Sequence, residues 1–170
     1  MRALVPARNL MGVYVAPGAR PATDPTGEVL RALAQPIGRP SLHEQLRPGL
    51  KVCVVVSDIT RPVPYRVILP VLLAYLNRGG IADEDITLLV ATGLHRGLTL
   101  EEQARLYGED VVGRVRVVNH DYHHNLVRLG VTSRGTPIEV NRLAVESDLL
   151  VLTGYIEPHQ QLGFTGGRKS

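Results

Sequence analysis

Four short aliphatic runs constrain this chain more than any other feature: Lys51–Val56, Ile86–Ala91, Val115–Val118 and Leu149–Thr153. They are rich in Val, Ile and Leu and show no alternation of apolar with polar residues. Strands of that kind are covered on both faces, as in a parallel sheet. Helical patterns separate the first three. One spans roughly Val67 to Asn77 and stops at Gly79-Gly80. If it begins near Arg66, Pro70 falls in the first turn, where its missing N–H costs no bond. Another opens on Thr99 and Glu102, a T-x-x-E capping box, and ends near Gly108. Ile138–Asn141 reads as a small strand or an extended loop. Alternating strands and helices predict an α/β, Rossmann-like domain: a largely parallel sheet with helices on both faces.

The first fifty residues are rich in Pro and Gly and weakly periodic. Asp24 as N-cap and Pro25 at the first position predict a helix through Glu28 to Ala34, ended by Gln35-Pro36. At 170 residues the chain is expected to be one domain with a genuine core, residues 1–170. Aromatics are only 4 %, with no Trp, so that core must rest on Val, Leu, Ile and Ala. The net charge of +3 is spread among interspersed acids and shows no basic face for nucleic acid. No apolar stretch approaches bilayer length and no signal-peptide pattern opens the chain. The lone Cys53 lies inside an apolar run as a small core residue, which suits a reducing cytoplasm. The close on Gly-Gly-Arg-Lys-Ser reads as a cut through a longer protein.

Chemistry gathers at the strand ends. Ser57-Asp58-Ile59-Thr60-Arg61 follows the first strand, Thr92-Gly93-Leu94-His95-Arg96 the second, and Gly154-Tyr155-Ile156-Glu157-Pro158-His159 the last. In an open parallel sheet, ligands bind in the crevice beyond the carboxyl ends of the strands. Three distant clusters therefore converge on one rim if the strands are parallel, bringing together Asp58, Arg61, His95 and His159. Arg61 offers a planar fork for carboxylate or phosphate, and imidazoles serve as acid or base near neutral pH. Asp58 and Thr60 also have a plain reading as turn residues ahead of the next helix.

His120, His123 and His124 invite a metal reading, but no cysteine or carboxylate pair completes a standard set, and they read as solvated loop histidines. His43, within Ser41–Glu44, has no evident chemical role. The tail Gly163-Phe164-Thr165-Gly166-Gly167-Arg168-Lys169-Ser170 nearly fits a phosphate-binding loop, but Arg168 stands where the second glycine is required. Lys51 and Lys169 are the only lysines, and a lysine amine can be acylated where an arginine cannot.

Ser57–Pro62, Ala91–Arg96, Asn119-His120-Asp121, Gly135-Thr136-Pro137, Asn141-Arg142 and Pro158-His159 through Lys169 occur in the order typical of the lactate racemase family, which the chain resembles from Asn9-Leu10 onward. The resemblance implies the N-terminal, cofactor-anchoring domain of a two-domain isomerase that racemises or epimerises a small 2-hydroxy acid. It implies a nickel-pincer nucleotide (nickel pyridinium-3,5-bisthiocarboxylic acid mononucleotide). Lys169 matches the lysine joined to that cofactor, and Asp58, Ile59, Thr60 and Arg61 match a cofactor-binding segment, with Arg61 also a candidate for the substrate carboxylate. His95 and His159 match two acid/base histidines. One removes the hydroxyl proton while the α-hydrogen leaves as hydride; a planar 2-keto acid reorients, and hydride returns to its other face. The resemblance places the nickel-ligating histidine beyond Ser170, so the 170 residues alone are expected to be inactive. Thr165 stands where the family commonly has serine, and His123-His124 replaces a more acidic stretch. Two other readings stay open: a non-catalytic phosphate- or nucleotide-binding module using the same crevice, and a metal-binding regulator using His120, His123 and His124.

Overall fold

The computed structural model describes residues 4–13, 15, 18 and 20–166. Its centre is a four-stranded, wholly parallel sheet of β1 (Val52–Ser57), β2 (Ile86–Ala91), β3 (Arg116–Asn119) and β6 (Leu149–Leu152), in the order β3-β2-β1-β6. All six residues of β1 are buried, as expected of a central strand between parallel neighbours.

Strand pleat divides the side chains between two cores. Val52, Val54, Val56, Ile86, Leu88 and Val90 face the larger one with α2 (Tyr65–Arg78) and α3 (Leu100–Tyr107). Cys53, Val55 and Leu89 face the smaller one, where Leu143 and Ala144 of α5 (Arg142–Val145) pack. Burial pushes the Cys53 thiol up to about 11, so it is an inert core group. The handedness rule accounts for the division. The chain steps one way from β1 to β3 through α2 and α3, which a right-handed crossover puts on one face. It then returns past β2 and β1 to reach β6, and that return must cross the opposite face. Helices therefore occupy both faces, but among the described residues the second receives only the short α5, and part of it stays open.

Local signals behave as their chemistry requires. Asp24 caps α1 (Pro25–Ala34) by accepting from Gly27 N–H, with Pro25 at its start. The Thr99–Glu102 capping box opens α3, and Gly108, at φ 101°, closes it ahead of the single turn α4 (Glu109–Val112). Helix α2 differs in extent. It starts at Tyr65, which puts Pro70 in the second turn instead of the first and leaves the Arg66 carbonyl without its helical donor. Both residues are exposed, so the missing bond costs no buried partner. The expected segment at 138–141 is a strand, β5 (Pro137–Asn141), antiparallel to β4 (Leu126–Val131). A two-residue-per-strand hairpin, β7 (Pro158–His159) with β8 (Gly163–Phe164), follows β6. No helix among the described residues is long and apolar enough to cross a membrane.

Candidate active site

The strand order reverses beside β1: β2 and β3 lie on one side of it, β6 on the other. Above the carboxyl ends of the strands at that switch point opens a crevice of about 910 Å³. Val55, Leu89, Ala91, Ala144, Leu150 and Leu152, on the thinly covered face of the sheet, make it apolar below. Polar groups rim it: Asp58, Thr60, Arg61, His95 and His159 all line it. Ile59 is exposed and does not line the crevice, which follows from the turn that aims its neighbours inward. Lys169 lies outside the described residues.

Two buried tyrosines from the helical face position the end of β1. Tyr107 of α3 donates its hydroxyl to Ser57 O at 2.9 Å, and Tyr65 of α2 accepts from Ser57 N–H at 2.5 Å. Their rings meet edge to face at 5.3 Å, and burial pushes the Tyr107 hydroxyl far above its ordinary pKa. Thr153, just past β6, gives its one hydroxyl proton to Val55 O at 2.7 Å, so its 3.1 Å contact with Tyr65 must receive the tyrosine proton. A directed chain, Ser57 N–H to Tyr65 to Thr153 to Val55 O, thus fastens β6 to β1 at the switch point.

Asp58 follows directly and is 4 % exposed. Its Oδ1 accepts from Thr60 N–H (3.0 Å) and Thr60 Oγ1 (2.5 Å), and its Oδ2 meets His95 Nδ1 at 2.6 Å. Burial pushes this carboxyl up, but the hydrogen bonds from Thr60 and His95 outweigh it and hold the group below the ordinary aspartate value. A carboxylate only accepts, so His95 carries its proton on Nδ1 and presents a bare Nε2. Asp58 is therefore a turn residue that also lines the crevice: one oxygen makes the turn and the other orients the imidazole.

His159 is held differently. Its Nδ1 accepts from Gln161 N–H and Leu162 N–H, each at 3.2 Å, which leaves the proton on Nε2. Thr165 locks the surrounding hairpin. Its hydroxyl donates to Tyr155 O and accepts from Glu157 N–H, while its N–H donates to Glu157 O. Gly166 follows at φ 81°, where a Cβ would stand 3.2 Å from Tyr155 O, so both conformation and space favour glycine. Arg61 spans the two walls, with Nε 3.8 Å from Glu157 Oε1.

Crevice residues outside the expected set include two that hydrogen-bond to one another. His120, read as a solvated loop histidine, is half-buried and lines the crevice, and so does Asn141. The available signal was positional: His120 immediately follows β3, so the strand-end rule applies to it as to Asp58. His123 stacks on Tyr122 with ring centroids 4.0 Å apart, and His124 pairs with Asp121 at 3.0 Å, both exposed. Among the described residues no three His, Cys, Asp or Glu side chains gather as a metal set.

With that geometry established, the similarities to known proteins are informative. The chain is 43 % identical over 144 residues to the lactate racemase of Thermoanaerobacterium thermosaccharolyticum and 42 % identical over 144 residues to that of Lactiplantibacillus plantarum, in each case over 84 % of this chain. It spans about a third (34 %) of the length of those relatives. The structure of the T. thermosaccharolyticum lactate racemase apoprotein superposes with a TM-score of 0.75, covering 86 % of this chain and 35 % of that one. A Thermotoga maritima crystal structure, 26 % identical, gives 0.63 over 84 % of this chain and 36 % of its own. The model of the lactate racemase N-terminal domain matches residues 1–170 from end to end, and the chain belongs to that family.

Proposed function

We propose that this chain is the N-terminal, cofactor-anchoring domain of an isomerase that racemises or epimerises a small 2-hydroxy acid, with His95 and His159 as its acid/base pair. One observation carries the reading: both imidazoles line a single crevice and present Nε2 in opposite states, bare on His95 and protonated on His159. A reaction that takes a hydroxyl proton on one side of a substrate and returns one on the other needs an acceptor and a donor in that arrangement.

His95 Nε2 accepts the hydroxyl proton, and the Asp58 carboxylate stabilises the imidazolium that results, as a carboxylate does behind a general-base histidine. Arg61 pairs with the substrate carboxylate, exchanging its long contact with Glu157 for a bidentate one. His159, which lines the same crevice, carries on Nε2 the proton to be donated. A ligand seated on the apolar lining displaces water and so strengthens each of these contacts.

The nickel-pincer nucleotide of the family fits the crevice by two tests on residues of this structure. A volume of about 910 Å³ lies within the roughly 300–1,000 Å³ typical of sites for cofactor-sized ligands. Arg61 and the turn at Thr165-Gly166, both lining it, supply a cation and a close backbone approach for an anionic group. When bound, the group supplies a reversible acceptor for the α-hydrogen. Lys169, three residues past Gly166, is its proposed covalent anchor. The lone, buried, inert Cys53 suits a cytoplasmic setting.

The test uses the full-length protein matured with nickel and cofactor, screened against enantiopure 2-hydroxy acids by loss of optical rotation. His95→Ala and His159→Ala are each expected to lower racemisation by about 10²-fold or more. Near wild-type rates in both variants reject the assignment. Intact-mass spectrometry should show an adduct that disappears in Lys169→Ala.

A further inference from the structure

We infer that His120 is a third functional imidazole of the crevice, a fixed hydrogen-bond donor that positions an oxyanion oxygen of the bound ligand. The inference rests on the reading of this crevice as the ligand site.

The backbone of His120 is fastened to the neighbouring strand end. Its N–H donates to Val90 O at 3.0 Å, and its carbonyl accepts from Thr92 Oγ1 at 2.9 Å. The ring is fastened by Asn141, which is 6 % exposed. Asn141 Oδ1 accepts from Leu143 N–H at 3.0 Å as the N-cap of α5, and that bond decides which end of the amide faces the histidine. The Nδ2 amide must then point at His120 Nδ1, 3.0 Å away. An amide N–H only donates, so His120 Nδ1 must accept and the ring proton must reside on Nε2. Among the described residues Nε2 meets no partner, and no unpartnered side-chain nitrogen is sealed from solvent, so this N–H is open to solvent on a residue that lines the crevice.

A neutral imidazole locked in this form cannot serve as a base at Nε2, because its only lone pair is occupied by the amide. It is suited to hold an acceptor, and the neighbouring polar chemistry selects an anionic one. Arg61 lines the same crevice, and the proposed ligands carry either a carboxylate or a phosphate. The shared chemistry is an oxyanion oxygen, and the two sources are separable.

The experiment uses ¹⁵N-histidine-labelled, full-length apoprotein, with the His120 signal assigned from His120→Gln. Long-range ¹H–¹⁵N spectra should show His120 protonated on Nε2. Asn141→Asp keeps the cap on Leu143 but turns the donor into an acceptor, and should move the proton to Nδ1. Inorganic phosphate and lactate are then titrated separately. A response of the Nε2 signal to phosphate assigns the donor to a phosphate oxygen, and a response to lactate assigns it to the substrate carboxylate. His120→Phe should weaken the effective probe by about tenfold, while His120→Gln, which keeps an N–H, should remain within about threefold of wild type. Unperturbed signals from the other histidines establish that the variants are folded. A proton on Nδ1 in the wild type, silence toward both probes, or unchanged affinity in His120→Phe overturns the inference. Racemisation surviving in both His95→Ala and His159→Ala with these results intact would instead remove the catalytic assignment and leave His120 standing.

Discussion

His95 and His159 face one crevice, yet they are built by different means. His95 sits on the loop after β2 and is oriented by a charge, the Asp58 carboxylate at 2.6 Å, itself fixed by Thr60 and by the tyrosine-clamped end of β1. His159 sits on a minimal hairpin and is oriented by two neutral backbone donors of its own turn at 3.2 Å. Charge-assisted bonds are shorter and roughly twice as strong as neutral ones. A carboxylate behind an imidazole favours its protonated product, whereas N–H donors behind an imidazole oppose protonation of that nitrogen. The pair is therefore asymmetric at rest. One imidazole is held by a charge with its proton on Nδ1, and the other by neutral backbone amides with its proton on Nε2.

The largest expected effect breaks the stronger half of this comparison. In Asp58→Asn, the Thr60 N–H still requires an acceptor, so the new amide oxygen must face Thr60 and its NH₂ must face His95. The proton then moves to His95 Nε2 and the base is lost. Racemisation should fall by about 10²–10⁴-fold, the range for loss of a positioned acid or base. Enantiomers have equal free energy in water, so kcat/KM must fall by the same factor from both sides, while kcat is free to differ between them. Rates measured from each pure enantiomer check this, and a loss below about tenfold would mean that Asp58 does not orient the base.

A middle-sized effect tests whether the clamp beneath Asp58 matters as drawn. Tyr65→Phe removes the acceptor of Ser57 N–H and the donor to Thr153 in a fully buried position, and should cost about 1–3 kcal/mol in denaturant unfolding. Tyr107→Phe strands only the Ser57 carbonyl, an easier group to leave underpaired, and should cost less. Equal losses would show that the directed chain to Thr153 adds nothing.

The same asymmetry explains what could be read from the sequence. The parallel strands were legible because burial on both faces leaves an unbroken aliphatic run, as in Val52–Val56 and Ile86–Ala91. The convergence of Asp58, His95 and His159 followed from topology, since strand ends of a parallel sheet share a rim. Strand β4 was missed because its last four residues, Arg128 to Val131, are exposed and include Arg128 and Gly130, so neither a buried run nor a clean alternation marks it. The hairpin of β7 and β8 is too short for any periodicity. The clamp of Tyr65 and Tyr107 is a contact between residues far apart in sequence, and nothing local announces it. His120 was obscured by its neighbours, because His123 and His124 suggested a histidine-rich surface loop although only His120 continues a strand.

The smallest effect sharpens the comparison through acid. The loop carrying His95 is braced by Arg96, which forks onto Glu102 at 2.8 and 2.6 Å, while Glu102 also accepts from Thr99 N–H. The Arg96 guanidinium, followed by the Thr99 N–H, holds the Glu102 carboxyl down to about 2. A glutamate is near 4.3 in an unfolded chain, so the folded value is depressed. Its contribution is fully present above about pH 4.3 and is lost as pH falls through about 2. Asp58 has the same sign. The Thr165 and backbone-amide bonds that close the hairpin carrying His159 do not titrate in that window. The melting temperature of Glu102→Gln should therefore lie slightly below wild type at neutral pH, and the gap should close between about pH 4 and pH 2. Because the pair is exposed, added salt should also narrow it. A gap that persists at pH 2 would show that the charge of the Arg96–Glu102 pair is not what braces the loop, and the two imidazoles would then differ in their immediate partners but not in the loops that carry them.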